Sequence, residues 1–435
     1  MMGVLMLLIF VIPLCMMNCF ISVQVIYLFS YLYILLMGCF SYFSNISYLY
    51  GLDFFSYNLL MLSFLISSFM IISMLGSIMM EFYMFINLIL SIFLFFIFCV
   101  MDFFYMYICF EFVLVPLVIL IMGWGYQPER LMAGMYLFFY TLLVSLPLLG
   151  LLVYIYLCMG TMFFDYMIMS SSFFVNHFIL IIVFMVKFPM YFVHYWLPSA
   201  HVQAPVSGSM ILAGLMLKIG GYGIIRSMYL YEFMYINYSY VWYSVSLVGS
   251  LVISLVCLIQ SDMKCMVAYS SISHMGMVIM GLMTMSTWGL MGSFILMVGH
   301  GFCSSGLFYI ANLFYSRTGS RSFYINSGLM SYMPTCSMFM FLLCGFNMSC
   351  PPSANFISEF MILTSMMNYW FNSIIFFILM SFFCACFSYY LYSFSQHGLY
   401  NTLYSFSSLN VMEFMCLFMH LLPLLMIPFM ILSLF

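Results

Sequence analysis

Residues 178–197 read FILIIVFMVKFPMYFVHYWL, an apolar run that contains one lysine, Lys187, and one proline, Pro189. A run of about 20 apolar residues is long enough to cross a bilayer as a helix. A lysine near the centre of such a helix costs about 2.5 to 3.5 kcal/mol to insert, and proline lacks the N–H group that a helix interior uses. The stretch therefore predicts a membrane-spanning helix that is broken where it carries a charge.

The composition extends this prediction to the whole chain. Of the 435 residues, 68% are hydrophobic and 4% are charged, so there are too few polar groups to cover a soluble surface. Runs such as FFIFCV and LLIFVIPL are apolar throughout, whereas the strands of a membrane barrel alternate. We expect an all-α polytopic membrane protein, with residues 1–435 forming a single integral membrane domain.

The hydrophobic pattern predicts about fourteen transmembrane helices. The expected spans are 1–20, 22–44, 57–78, 84–100, 103–123, 132–157, 173–197, 206–228, 240–260, 265–285, 289–315, 335–371, 372–394 and 413–433.

Basic residues between the spans predict an orientation. Arg130, Lys264, Arg317 and Arg321 follow odd-numbered spans, while Arg226 falls on the other side. Lys and Arg favour the side from which a chain is inserted. Both termini are then expected to face away from that side, which in a mitochondrion is the matrix.

Several classes of binding site have no signature in the sequence. The 15 cysteines are scattered without a CxxC pair, and neither GxGxxG nor GxxxxGK[ST] occurs. We therefore expect this chain to bind no iron–sulfur cluster, flavin, NADH or ATP. The N-terminus has no basic segment or cleavage site typical of a signal peptide, and the 50 methionines and 52 phenylalanines are typical of an AT-rich organelle genome.

Four ionisable residues lie well inside apolar segments, namely Glu111, Lys187, Lys218 and Glu359. Together they would cost on the order of 10 kcal/mol to insert as isolated charges, so they must pair, hydrate or change protonation. One interpretation is a proton relay, because buried acids and bases exchange protons readily. The alternative is that Glu111 and one lysine form a structural ion pair between two helices.

Histidines extend the candidate relay. His274 and His300 lie inside spans beside several serines, and histidine titrates close to physiological pH. Either can instead be a neutral packing residue. His194 is seven residues beyond Lys187 and shares its face if the helix persists past the proline, whereas His201 reads as a loop residue at the membrane edge. The spacing of these histidines does not favour a metal site.

A second broken span mirrors the first. The pair Pro351-Pro352 interrupts the stretch that carries Glu359, with Asn347 before it and Asn355 after it. The two broken spans lie five spans apart, and transporters built from inverted repeats place discontinuous helices at equivalent positions. The sequence therefore predicts two repeats, over about 84–228 and 240–394.

Four strings resemble one family closely: GWGYQPERLMAGMYLFFYTLLVSLPLL, FMVKFPMYFVHYWLPSAHVQAPVSGSMILAGLMLKIGGYGIIR, QSDMKCMVAYSSISHMG and GHGFCSSGLFYIANLFYSR. They are similar to the chain 4 family of mitochondrial NADH-ubiquinone oxidoreductase, the antiporter-like subunits of respiratory complex I. QPER and APVSGSM separate this family from the related chains 2 and 5, and SFSQHG is arthropod-like. The resemblance covers about 110–396.

This resemblance implies a multi-pass, proton-translocating subunit of the mitochondrial inner membrane, with fourteen helices and two inverted repeats of five. The complex uses NADH, flavin, iron–sulfur clusters and ubiquinone elsewhere, so this chain holds no redox centre. Its partners would be other membrane subunits, including neighbouring antiporter-like chains, and membrane lipids, with no nucleic acid. The relay residues that the family's motifs imply are Glu111, Lys187, Lys218, His274, His300 and Glu359.

Two positions depart from the family pattern, which often has Lys where this chain has Ser199 and Glu where it has Gln203. Residues four apart can pair on one helical turn. Their joint absence therefore indicates a lost surface ion pair, and it puts in doubt a role for that edge in proton exchange.

Three other functions are compatible with parts of the pattern. A subunit of a multisubunit sodium/proton antiporter shares the lysines and glutamates, although QPER and SGSMILAGLMLKIGGYG argue against it. A membrane scaffold would use the buried charges only as ion pairs. A secondary transporter for a small solute would need more polar residues than the chain offers.

Overall fold

The computed structural model describes residues 2–38, 44–47, 49–164, 166, 173–399 and 407–430, and it is almost entirely helical. One short antiparallel strand pair joins β1 (Ser44–Ser47) to β2 (Tyr50–Leu52). The α-helices are α1 Met2–Phe10, α2 Ile12–Met16, α3 Phe20–Met37, α4 Phe54–Ser73, α5 Met80–Cys99, α6 Phe103–Phe112, α7 Leu114–Trp124, α8 Arg130–Met159, α9 Phe174–Lys187, α10 Trp196–Gln203, α11 Val206–Ile211, α12 Leu217–Leu230, α13 Glu232–Cys257, α14 Met263–Met283, α15 Thr287–Thr318, α16 Pro334–Asn347, α17 Ala354–Tyr369, α18 Ser373–Gln396 and α19 Val411–Met430.

Most helices lie close to the expected spans. In the described part of the chain, eleven helices are long and apolar enough to cross a membrane, and three shorter apolar helices accompany them. The expected span 1–20 is divided between α1 and α2, and the expected spans 22–44 and 413–433 extend outside the described residues. The count of fourteen spans therefore stays a prediction.

Both predicted breaks are present. After α9 the backbone is extended at Phe188, whose N–H makes the last helical bond to Phe184 O (2.7 Å). Pro189 follows with no N–H to donate, and helix resumes at Trp196. The second break, between α16 and α17, contains the cis peptide bond Pro351-Pro352.

The chain divides into two compact units. Unit 1 is Met1–Phe188 with Gln203–Asn237. Its interior is formed by α4, α5, α11 and α12, and α9 packs between α8 and α12. One face of α8 is exposed, with Leu143 74% and Leu157 77% accessible, as is typical of a lipid-facing helix.

Unit 2 is Pro189–Val202 with Tyr238–Phe435. Its interior is formed by α14 and α15, and α15 also packs against α16, α17 and α19. Ser286 and Ser353 cap α15 and α17, accepting hydrogen bonds from Gly289 N (3.1 Å) and Phe356 N (3.3 Å). Of the predicted relay residues in unit 2, His300 lies on α15 and Glu359 on α17, whereas His274 lies on α14.

A π-helical segment, Leu212–Met216, separates α11 from α12 within the expected span 206–228. Segments of this kind are rare and occur frequently at functional sites. It ends two residues before Lys218, one of the predicted relay residues.

Candidate functional site

Lys187 is the last residue of α9 in unit 1 and is only 3% exposed. Its Nζ donates a hydrogen bond to Phe110 O (2.8 Å) and lies 2.9 Å from the centroid of the Phe110 ring. The carbonyl end of a helix also favours a positive charge. The ammonium group is therefore held at one defined position, beside Phe110 and at the carbonyl end of α9.

Glu111 follows Phe110 on α6 and contributes to the same site. Both of its carboxylate oxygens are buried and accept no hydrogen bond from the described residues, and the carboxylate interacts electrostatically with Lys187. The direct hydrogen bond of Lys187 goes to the Phe110 carbonyl instead. In this conformation Glu111 and Lys187 interact electrostatically without a direct contact. The structural ion pair that the sequence allows is therefore not formed as a contact pair.

Lys218 lies in α12 and is fully buried. Its Nζ donates to the carbonyl oxygen of Ala213 (2.5 Å), which belongs to the π-helical segment of the same helix. The irregular turn thus supplies an acceptor to the lysine from within its own helix.

His274, His300 and Glu359 meet in unit 2. The two imidazole rings lie 5.4 Å apart between centroids, and His274 Nδ1 is 3.9 Å from Glu359 Oε1. Ser349 Oγ donates to the same carboxylate oxygen (2.5 Å). Both histidines are fully buried, so this cluster joins three titratable groups inside an apolar helix bundle.

His194 would share a helical face with Lys187 only if the helix continued past Pro189, and it does not, because α9 ends at Lys187 and helix resumes only at Trp196. His194 lies in the nonhelical segment and is buried. Its ring stacks on Tyr195 (4.6 Å between centroids) and meets Tyr269 edge-on (6.4 Å). These contacts are typical of a packing residue.

His201 is not a loop residue at the membrane edge, contrary to the sequence interpretation. It lies in α10, is fully buried, and its ring stacks on Phe308 (4.8 Å between centroids). Pro198 is in the first turn of α10, and Pro205 lies directly before α11. A missing N–H is tolerated at such positions, so these prolines do not prevent helix formation.

The idea of a lost surface ion pair at positions 199 and 203 also fails for Gln203. This side chain is 8% exposed, and its Nε2 donates to Glu129 Oε2 (2.8 Å) within unit 1. Ser199 Oγ donates to Trp196 O (2.8 Å) in its own helix. A glutamate at position 203 would place two carboxylates together, so the amide suits Glu129.

Sequence reasoning missed a buried ion pair between Arg226 and Asp53. Arg226 Nε also donates to the Tyr222 hydroxyl (2.9 Å). The predicted orientation places Arg226 in a loop, but this residue is 3% exposed inside α12. Lys264, also assigned to a loop, lies in α14 and is 1% exposed. Two of the five basic residues behind the orientation are thus buried, and the orientation stays a prediction.

The described residues contain no group of three or more His, Cys, Asp or Glu side chains that could hold a metal ion. Fourteen cysteines lie in the described ranges, and all of them are free thiols.

Comparison with known proteins gives a consistent result. The family described as NADH:quinone oxidoreductase/Mrp antiporter, TM matches residues 100–388. The chain is 46% identical over 433 residues to NADH-ubiquinone oxidoreductase chain 4 of Ceratitis capitata, covering 98% of this chain and 97% of the relative. It is 46% identical over 410 residues to the protein of the same name from Aedes aegypti, covering 92% and 91%.

Two solved structures share the fold. A chain of respiratory complex I from Thermus thermophilus with bound NADH aligns with a TM-score of 0.88 at 20% identity, covering 98% of this chain and 95% of that one. A chain of the Mrp complex from Dietzia sp. aligns with a TM-score of 0.80 at 17% identity, covering 90% and 76%. At these identities the likeness concerns the fold alone.

Proposed function

Because the chain belongs to the family of NADH-ubiquinone oxidoreductase chain 4, we propose that it translocates protons as a membrane subunit of respiratory complex I. It is a multi-pass protein of the mitochondrial inner membrane whose partners are other membrane subunits of that complex. NADH oxidation and ubiquinone reduction take place in other chains, with their flavin and iron–sulfur clusters. This chain uses the released energy to move protons.

The observation that carries this proposal is the placement of a titratable group at each helix break, with Lys187 3% exposed and the side chain of Glu359 13% exposed. Lys187 ends the helix before one break, and Glu359 follows the other. Keeping a charge in an apolar helix costs about 2.5 to 3.5 kcal/mol, and moving a proton against 100 mV costs about 2.3 kcal/mol. Since the two energies are similar, a small rearrangement around one buried charge is enough to drive one proton transfer.

In unit 1, Lys187 is proposed to hold and release a proton under the influence of Glu111. The absence of a direct contact supports this role, because a contact ion pair would stabilise both charges and resist a change of protonation. Lys218 supplies a second site for a proton in the same unit, beside the π-helical segment.

In unit 2, His274, His300 and Glu359 are proposed to conduct a proton toward one membrane face. The 3.9 Å between His274 and Glu359 exceeds a hydrogen-bond length. A transfer between them therefore requires one bridging water or one side-chain rotation. His194 is the weakest relay candidate, because it is packed among tyrosines.

We further propose fourteen transmembrane helices with two five-helix repeats, over about 84–228 and 240–394. One support is the length and spacing of the helices before the breaks: Phe174–Lys187 and Pro334–Asn347 both have 14 residues and begin 160 positions apart. A repeat with an odd number of spans starts on the opposite membrane face from the preceding one, so the second repeat would be inverted.

A second support is a recurring backbone contact. In unit 1, Asp102 pairs with Phe163 as an isolated β-bridge, just before α6 and just after α8. In unit 2, Asp262 pairs with Ser322 in the same way, before α14 and after α15. Such a coincidence of helices and bridges is expected if both units descend from one ancestral repeat.

The test is proton pumping per NADH oxidised, measured in assembled complex carrying Lys187→Ala or Glu359→Gln, or their equivalents in a tractable homologue. We expect pumping and coupled turnover to fall while assembly and artificial-acceptor oxidation persist. Glu232→Gln is the matched control, since Glu232 is an exposed residue in the first turn of α13.

Unchanged pumping per electron in both variants would show that these residues are structural, and the scaffold interpretation would then replace the relay. Pumping that requires sodium ions would instead favour a function like that of a sodium/proton antiporter subunit.

A further inference from the structure

The end of α16 is closed by a hydrogen-bonding pattern that places Ser349 in an unusual conformation. Cys350 N–H donates to Gly345 O (3.0 Å), and Ser349 N–H donates to Phe346 O (3.1 Å). This pair of bonds defines a Schellman cap, in which the residue at the position of Ser349 is left-handed and usually glycine. Ser349 indeed has a φ of 59°. A serine there is strained, which calls for an explanation.

The side chain of Ser349 gives the explanation. From this left-handed position its Oγ donates to Glu359 Oε1 at 2.5 Å, on the far side of the helix break. Glycine would satisfy the cap without strain but would leave this carboxylate oxygen without the hydroxyl. The hydroxyl thus lies at a position where the backbone favours glycine.

A second hydrogen bond connects the two sides of the break between α16 and α17. Asn355 is fully buried in α17, and its Nδ2 donates to Phe346 O (2.9 Å), the same carbonyl that accepts from Ser349 N–H. Since Glu359 lies one helical turn after Asn355, the cap of α16 and the carboxylate of α17 are fixed relative to each other.

We propose that Ser349 is a positioning residue for proton transfer, which holds the Glu359 carboxylate in its ionised, proton-accepting form and aims it at His274. This inference rests on the proposed function and deepens it. A hydroxyl that donates to a carboxylate stabilises the charged form, and His274 Nδ1 lies 3.9 Å from the same oxygen. Without the hydroxyl, the carboxylate loses a donor that stabilises its charge, so its proton-accepting form is less populated.

The decisive variant is Ser349→Gly, because a purely structural role of Ser349 and a role in proton transfer predict opposite results for it. If Ser349 only shapes the cap, glycine preserves or improves assembly and leaves pumping unchanged. If our inference is correct, assembly persists while coupled turnover and pumping fall by about 10- to 150-fold. At 1.36 kcal/mol per factor of ten, this range is the about 1.5 to 3 kcal/mol of a hydrogen bond to a charged group.

Ser358→Ala is the matched control. Ser358 is equally close to Glu359 in sequence and fully buried, but its Oγ donates to Asn355 O within α17 (2.7 Å). We expect this variant to pump at the wild-type rate. The turnover ratio in H2O and D2O is measured for both variants, and it should rise only in Ser349→Gly, where proton transfer becomes limiting.

Wild-type pumping in an assembled Ser349→Gly complex would overturn the inference, and so would failure of that variant to assemble, since the hydroxyl would then serve the fold. Glu359→Gln separates this inference from the proposed function. If Glu359→Gln abolishes pumping and Ser349→Gly does not, the proposed function stands and only the role of Ser349 fails. If Glu359→Gln pumps normally, the inference fails, and the proposed function fails with it only if Lys187→Ala also pumps normally.

Discussion

Replacing Phe110 by leucine tests how the buried charge of Lys187 is stabilised. The ammonium receives two interactions from one residue, a bond to the main-chain carbonyl and a contact with the ring. The substitution removes the ring and keeps the carbonyl, because the carbonyl belongs to the backbone. It therefore isolates the cation–π contribution from the hydrogen bond.

At this site the interactions that stabilise the charge of Lys187 and the cost of burying that charge are similar in size. The hydrogen bond contributes about 1.5 to 3 kcal/mol and a desolvated cation–π contact about 2 kcal/mol, against an insertion cost of about 2.5 to 3.5 kcal/mol. With the ring, the gain equals or exceeds the cost; without it, the remaining gain of about 1.5 to 3 kcal/mol lies below most of the range of the cost. A loss of about 2 kcal/mol corresponds to roughly a thirtyfold change, so we expect pumping in Phe110→Leu to fall by up to that factor.

The assay is proton efflux per NADH oxidised, in liposomes containing the assembled complex. Phe110→Tyr keeps the ring face and is expected to pump nearly normally. Phe64→Leu makes the same change at another buried phenylalanine, whose ring contacts Tyr27 (6.5 Å between centroids), and controls for the loss of core packing. The reasoning is refuted if Phe110→Leu pumps at the wild-type rate while Lys187→Ala pumps poorly.

Two further variants test the framework around these sites. Arg226→Met should reduce the yield of assembled complex on native gels, because it leaves Asp53 as a buried charge at a cost of about 3 to 5 kcal/mol. Adding Asp53→Leu should restore most of the yield. Equal yields for the single and the double variant would contradict this explanation. Gly220→Ala would place a methyl group 2.8 Å from the backbone nitrogen of Phe188, so pumping should fall several-fold by displacement of the break after α9. Its control is Gly150→Ala, where an added methyl group meets no atom within 4 Å, and matched pumping rates in the two alanine variants would argue against the steric explanation.

The sequence predicted the helical membrane fold and both breaks because their causes are local. Apolar runs of span length, Pro189 and the pair Pro351-Pro352 each act on the chain next to them. The candidate relay residues are predictable for the same reason: a charge in an apolar run is visible without knowledge of its neighbours. Lys187, Lys218 and Glu359 were found in this way.

Partners across the structure were not predictable, because they depend on packing between helices. Nothing near Lys187 in sequence indicates that it bonds to the backbone of Phe110, 77 residues earlier. The left-handed Ser349 was missed because glycine is the usual signal for such a cap. His201 was misassigned because two flanking prolines indicate a loop, although both are tolerated at the helix starts where they lie.

The π-helical segment before Lys218 has a consequence for comparing this chain with its relatives. Because its hydrogen bonds run from residue i to i+5, the segment Leu212–Met216 contains one residue more than an α-helical turn needs. A relative that lacks that residue would form a regular helix and still keep both ends of the helix on the same faces. An alignment with no gap in the segment would then be displaced by one position after it, which is about 100° around the helix axis. Such an alignment would match Lys218 with a residue from the wrong face.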